Sequence, residues 1–177
     1  MRTLDDWLIH ADRLHPVGID LGLERVRIVA NRLGVLPPAP QNIVIAGTNG
    51  KGSTSVYLEA LLRARGRRVG TTLSPHLNVF NERIRLDGEP VDDELLCGAF
   101  AAIEAVRREI TLTYFEFGVL AALLVFREAG VDVTVLEVGL GGRLDAVNLV
   151  DGDVTVITSI GIDHVAYLGP DRESIGA

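Results

Sequence analysis

An α/β fold, with a mainly parallel sheet carrying helices on both faces, is what this sequence predicts. Three observations predict it. Short apolar runs suited to buried strands alternate with longer segments of helical periodicity. One of those runs, Asn42 to Ala46, leads straight into a glycine-rich loop and then a helical pattern. Finally, 177 residues with 47% hydrophobic and 23% charged positions are enough for one packed core.

The elements follow in order. Leu4, Leu8 and Leu14 punctuate a polar opening helix that Pro16 and Gly18 end. A second helix carries Leu23, Val26, Val29, Ala30 and Leu33 at helical spacing and closes at Gly34. Pro37, Pro38 and Pro40 make a stiff connector into the strand Asn42–Ala46. Beyond the loop, Thr54 to Arg65 predicts a helix and Arg68 to Leu73 a second strand. Glu82 to Leu86 alternates like a strand and ends at Asp87-Gly88, a strong turn pair. Val91 to Ile110 and Tyr114 to Glu128 are two further helices. Val131 to Leu136 is a buried strand ending at Glu137, and Val154 to Ile160 is another, ending near Asp163-His164. The last residues, Asp171-Arg172-Glu173-Ser174, start a helix and break off at Ala177, as a truncated chain would.

Composition excludes several classes of function. A single cysteine, Cys97, leaves no disulfide framework and no multi-cysteine metal site; it is expected to pack in its helix. A net charge of −7 disfavours nucleic-acid binding. No apolar run approaches bilayer length, and Asp5 and Asp6 beside Trp7 do not fit a signal peptide. A soluble, cytoplasmic protein without nucleic-acid or membrane partners is expected.

The basic residues are uneven. Sixteen of 17 are arginine, and the one lysine is Lys51, inside Gly47-Thr48-Asn49-Gly50-Lys51-Gly52-Ser53. A strand, a glycine-rich loop with lysine and hydroxyl, and a helix together make a phosphate-binding arrangement of the P-loop NTPase type. Glycines let successive N–H groups face phosphate oxygens, the helix N-terminus adds positive potential, and Lys51 adds a compact full charge. Ser53 or Thr54 is placed to reach a metal ion. The loop is a short variant, because Ile45 stands where the common pattern has its first glycine.

Glu137 ends an apolar strand, where nucleotide-binding proteins place a carboxylate for Mg²⁺. His164 follows the last strand in the same way, and Ser74-Pro75-His76 follows the second, so all three lie on the ligand-binding edge of an open parallel sheet. Gly139-Leu140-Gly141-Gly142-Arg143-Leu144 lacks the final glycine of a dinucleotide fingerprint; it is a loop that lets backbone and Arg143 approach a ligand, with Asp145 and Asn148 following.

Together with Ser74-Pro75-His76-Leu77, Asn81-Glu82-Arg83-Ile84 and Thr113-Tyr114-Phe115-Glu116, these segments resemble the folylpolyglutamate synthase/dihydrofolate synthase family, a relative of the Mur ligases. The match runs in order from about Ile19 to the end, and is strongest to the bacterial bifunctional type. The resemblance implies an N-terminal ATP-binding domain over residues 1–177, whose C-terminal ligase domain is absent. It implies ATP and Mg²⁺ as cofactors, and dihydropteroate or tetrahydrofolate and L-glutamate as substrates. It also implies a monomer and a two-step ligation. A carboxylate attacks the γ-phosphate of ATP, and the glutamate amine then displaces phosphate from the acyl phosphate.

Roles are implied in the same way. Thr48, Asn49, Gly50, Lys51, Gly52 and Ser53 would hold the ATP phosphates. Ser74, Glu137 and His164 would bind Mg²⁺, and Lys51, Glu137 and His164 would be catalytic. Asp20, Leu21, Gly22 and Leu23, then Thr113, Tyr114, Phe115 and Glu116, then Asp145, Ala146 and Asn148 would line the pterin or folate site. The family's carbamylated lysine would fall just beyond Ala177, so the chain alone is expected to fold without synthase activity. Two other readings stand beside this one. A Mur-type ligase for another carboxylate would usually carry a UDP-sugar domain before the loop, yet 46 residues precede Gly47. An ATPase without ligation would need no pterin loop.

Overall fold

The computed structural model describes residues 2–176. Its six strands are β1 (Gln41–Ala46), β2 (Val69–Thr72), β3 (Ile84–Leu86), β4 (Glu89–Pro90), β5 (Val133–Glu137) and β6 (Val154–Ile157). They form one sheet in the order β4-β3-β2-β5-β1-β6. β1 lies between β5 and β6 and runs parallel to both, and β2 runs parallel to β5. Only β3 and β4 add antiparallel pairs at one edge. The mainly parallel sheet is as the sequence predicts.

Helices cover both faces, unequally. On one side Ile45, Val69 and Val135 pack against Leu58 and Leu62 of α3 (Lys51–Ala64). On the other, Val44 and Leu136 join a much larger core with α1 (Leu4–Arg13), α2 (Glu24–Leu33), α4 (Asp93–Arg107) and α5 (Tyr114–Ala129). Successive strand residues therefore serve opposite cores even though the strands carry no polar face, as buried parallel strands do. Aromatic rings fill the larger core: Phe100 and Phe117 lie 5.1 Å apart, and Phe80 is 5.8 Å from Phe100.

Local chemistry sets the element ends. Thr3 and Asp6 form a reciprocal cap on α1, Asp92 caps α4, and Thr113 with Glu116 caps α5. Asp87-Gly88 turns β3 into β4, both residues with positive φ. Two short helices, α6 (Val165–Leu168) and α7 (Arg172–Ile175), end the described chain, and Asp171 caps the second. Cys97 is half-buried in α4, packed against the main core. Among the described residues no helix is long and apolar enough to cross a membrane.

The expected strand Glu82–Leu86 is half correct. Phe80–Arg83 is a 3₁₀ turn and pairing begins only at Ile84. The Glu82 carboxylate accepts the N–H groups of Leu77, Asn78 and Val79, which holds its own backbone in the turn. Two other boundaries move for local reasons. α3 begins at Lys51 rather than Thr54 because the loop passes directly into the helix, and β6 stops at Ile157 rather than Ile160.

The register of the central pair β1–β5 is fixed by a buried polar contact. Asn42 stands opposite Thr134, accepts its hydroxyl at 2.7 Å, and donates to the Ala39 carbonyl at 3.0 Å. Asn42→Ala strands the Thr134 hydroxyl in a dry core and is expected to cost about 1–3 kcal/mol. Adding Thr134→Val should recover part of that loss. Urea denaturation of the single and double variants tests this; strictly additive losses would show that the two side chains do not act together.

Candidate active site

Parallel pairing brings the carboxyl ends of β1, β2, β5 and β6 to one edge, with Ile45 level with Glu137 and Thr72 level with Leu136. The loop after β1 is clamped there by the segment after β6. Thr48 N–H donates to the Ser159 carbonyl at 2.8 Å, the Thr48 hydroxyl donates to the Gly161 carbonyl at 3.2 Å, and the Gly161 N–H donates to that hydroxyl at 3.0 Å. Gly47 is required at this clamp. Its φ is 127°, and a Cβ there would lie 2.1 Å from Thr158 Oγ1. Gly50 precedes α3, no side chain caps the helix, and so its first-turn N–H groups are open to an anion. Lys51 Nζ lies over the loop and donates to the Gly47 and Thr48 carbonyls at 2.7 and 3.3 Å.

Glu137 is buried beside this loop. One oxygen, Oε2, accepts the Ser74 N–H at 2.8 Å, and both oxygens lie 3.7 Å from where a Cβ on Gly52 would stand. Burial raises its carboxyl above the usual range, opposed by the Ser74 N–H and by the Lys51 charge. The Ser74–Pro75 peptide is cis. His164 begins α6 with φ 49°, half-exposed, its imidazole 3.9 Å from Asp163. Among the described residues no three His, Cys, Asp or Glu side chains converge on one point.

Two cavities open on the edge. The first, about 240 Å³, is lined by Gly47, Thr48, Lys51, Arg143 and Asn148. The second, about 310 Å³, is lined by Asp20, Leu21, Gly22, Thr113, Phe115, Glu116, Asp145 and Ala146. Gly139 and His164 belong to both walls. Gly139 has no room for a side chain, since a Cβ would lie 2.5 Å from the Phe115 ring.

Most of the residues expected around a pterin thus share one cavity, and three do not. Tyr114, one helical step from Thr113, turns to a separate cavity with Leu4, Asn78 and Val79. Leu23 packs on the main core. Asn148 lies two residues along a 3₁₀ turn (Ala146–Leu149) from Ala146 and lines the phosphate-loop cavity instead. Asn49, Gly50 and Ser53 are exposed on the loop and at the start of α3.

The family model for the Mur ligase middle domain matches residues 45–176. The chain belongs to the Mur ligase middle-domain family. Within that family it is 56% identical to a dihydrofolate synthase/folylpolyglutamate synthase of Escherichia coli over 98% of this chain and 41% of that protein. The E. coli FolC structure in complex with DHPP and ADP superposes with a TM-score of 0.98 at 55% identity, covering 99% of this chain and 42% of that one. A Yersinia pestis bifunctional folylpolyglutamate synthase/dihydrofolate synthase complexed with AMPPNP and Mn ion gives 0.94 at 55% identity, with 99% and 43% covered. The chain therefore spans about two fifths of the length of these relatives.

In this Mur ligase domain, a charge network that no sequence motif signals lies behind the second cavity. His15 bridges Thr111 and Asp20 at 2.8 and 3.1 Å; Arg25 then joins Asp20 at 2.6 Å to Glu116 at 3.1 Å. Glu116 also accepts the Thr113 N–H at 2.7 Å. These partners lie up to 96 residues apart, and no local pattern announces them.

Asp145 is held differently, by backbone. Its oxygens accept the Leu140 and Val147 N–H groups, each at 2.9 Å, and burial pushes its pKa up to about 6. Because the folded pKa is raised, this group's contribution to stability is full below the unfolded value near 4 and is lost as pH rises through about 6. Carboxyl-carbon NMR of the chain should show Asp145 titrating near pH 6; a midpoint below about 4.5 would mean that the backbone donors outweigh burial.

Proposed function

We propose that this chain is the nucleotide- and pterin-binding part of an ATP-dependent ligase that joins L-glutamate to dihydropteroate or to a folate. The observation that carries the reading is the shared wall at Gly139 and His164. It sets a glycine-rich loop with the features of a phosphate cradle next to a cavity walled by Phe115 and the Asp20 to Gly22 loop on one sheet edge. The relatives are named for this activity, and two of their structures hold ADP or AMPPNP.

On this reading residues Thr48 to Ser53 form the phosphate cradle. Thr48 braces it through Ser159 and Gly161, and the N–H groups opening α3 face the phosphates. Lys51 exchanges two loop carbonyls for phosphate oxygens and balances charge on the transferring group. Ser74, Glu137 and His164 are the side chains that would hold Mg²⁺. A buried carboxylate and a hydroxyl suit a hard cation. When bound, that ion would neutralise charge on the phosphoryl oxygens. Phe115, Asp145 and Ala146, with the Asp20 to Gly22 loop, hold the pterin-bearing acid so that its carboxylate meets the γ-phosphate.

Three measurements test the reading. Lys51→Ala should weaken Mg-ATP binding by calorimetry at least about tenfold, the loss of a charged hydrogen bond of about 1.5–3 kcal/mol, with an unchanged melting curve. Equal affinity would remove Lys51 from the cradle. Glu137→Gln keeps the shape and removes the charge, so half-saturation by Mg²⁺ should shift upward while pteroate binding holds; superimposable Mg²⁺ titrations would exclude Glu137 as a ligand. The 177-residue chain, given dihydropteroate, glutamate and Mg-ATP, should yield no glutamylated product by mass spectrometry, since an acyl phosphate on an open edge is exposed to water. Turnover near that of a longer relative would show that this part suffices.

A further inference from the structure

Asn81-Glu82-Arg83-Ile84 makes none of the proposed phosphate, metal or pterin contacts, and two of its side chains are engaged in holding the backbone. Asn81 donates to the Val91 carbonyl and to Asp93, each at 2.9 Å, and Glu82 gathers three N–H groups of the preceding loop. Ile84 is buried. Arg83 is different. Its Nε donates to His76 Nδ1 at 2.7 Å, and its guanidinium lies 5.6 Å from the Phe80 and Tyr114 ring centres. Among the described residues no carboxylate pairs with it, and its two terminal nitrogens have no hydrogen-bond partner. Burial works against its charge. A half-buried guanidinium, fixed at one nitrogen and stacked between rings, keeps two parallel N–H donors for a planar anion.

The surroundings say where that anion lies. Every acid on the wall of the second cavity already has partners: Asp20 has His15 and Arg25, Glu116 has Arg25 and the Thr113 N–H, and Asp145 has two backbone N–H groups. Arg83 is the arginine on that wall, and it stands at the end beside Ser74. The same two residues line a smaller adjoining cavity with Glu137. We infer that Arg83 receives the carboxylate of the pterin-bearing acid and sets it at the Ser74–Glu137 end of the cavity, facing the phosphate loop. Asn81 and Glu82 hold the turn that presents it. The inference rests on the folate-class reading of the second cavity and adds the group that selects an acid over its neutral analogues.

The experiment is calorimetry of the 177-residue chain with pteroate and with pteroate carboxamide, for the parent, Arg83→Gln and Arg83→Lys. ADP binding and melting curves serve as controls. The parent is expected to prefer the acid at least about tenfold. Arg83→Gln should bring the two ligands within about twofold, by weakening the acid alone, and Arg83→Lys should keep part of the preference. ADP affinity should not change. If pteroate binds and the acid-to-amide ratio survives Arg83→Gln, the assignment is wrong. Equal losses for acid and amide, with a lowered melting temperature, also overturn it, in favour of a purely structural role. A parent chain that binds ADP but neither pterin overturns the folate-class reading of the cavity, and the assignment falls with it.

Discussion

The pairing of β1 with β5 on one side and β6 on the other, all parallel, is the constraint on which the site depends. A strand flanked this way delivers its carboxyl end between two others. The loop that leaves it must then fit against the segments that leave both neighbouring strands. Gly47 shows how tight that fit is, since its α-carbon lies against Thr158 with no room for a methyl group. On the other side Gly52 lies against the Glu137 carboxylate. The loop is thus shaped by β5 and β6 before any ligand arrives, and a cradle of backbone N–H groups needs that shaping in order to hold phosphate without reorganising.

Charge is arranged by the same logic. The acids of the second cavity are each engaged by protein donors, Asp20 and Glu116 by Arg25 and Asp145 by backbone N–H groups, so they serve to build the wall. Glu137, by contrast, is left ionisable but buried, with its carboxyl raised above the usual range. A nearby cation restores the ionised form of such a group at little cost. Lys51 supplies part of that field already.

How much of this the sequence shows depends on the range of the interactions. Strand, loop and helix around Gly47 to Ser53 are consecutive, and so are Thr113 and Glu116 at the start of α5 and Asp87-Gly88 between β3 and β4. All of these are legible. Direction within an element is less so: Tyr114 and Phe115 are adjacent in the chain yet face different cavities, and Ala146 and Asn148, two residues apart, also line different ones. The backbone at Glu82 departs from the expected strand because its side chain, and not hydrophobic alternation, determines the turn. The His15–Asp20–Arg25–Glu116 chain joins segments from opposite ends of the fold. Its members carry no local signature, and only packing brings them together.

Several residues serve fold and cavity at once, and this governs what a substitution can reveal. Thr113 and Glu116 cap α5 and also line the second cavity; Asp145 caps the 3₁₀ turn after β5 and does the same. Removing any of them unties backbone donors in addition to altering the wall, so a loss of binding there does not separate contact from collapse. Arg83 differs in one physical respect: the nitrogen that bonds to His76 and the two terminal nitrogens without a hydrogen-bond partner among the described residues are distinct atoms on a side chain that lines the second cavity. A lysine at that position preserves charge but not the paired donors, whereas glutamine preserves neither. Replacing His76, by contrast, loosens the fold's hold on the guanidinium and leaves its terminal nitrogens in place, so that hold can be varied separately from the recognition of a ligand.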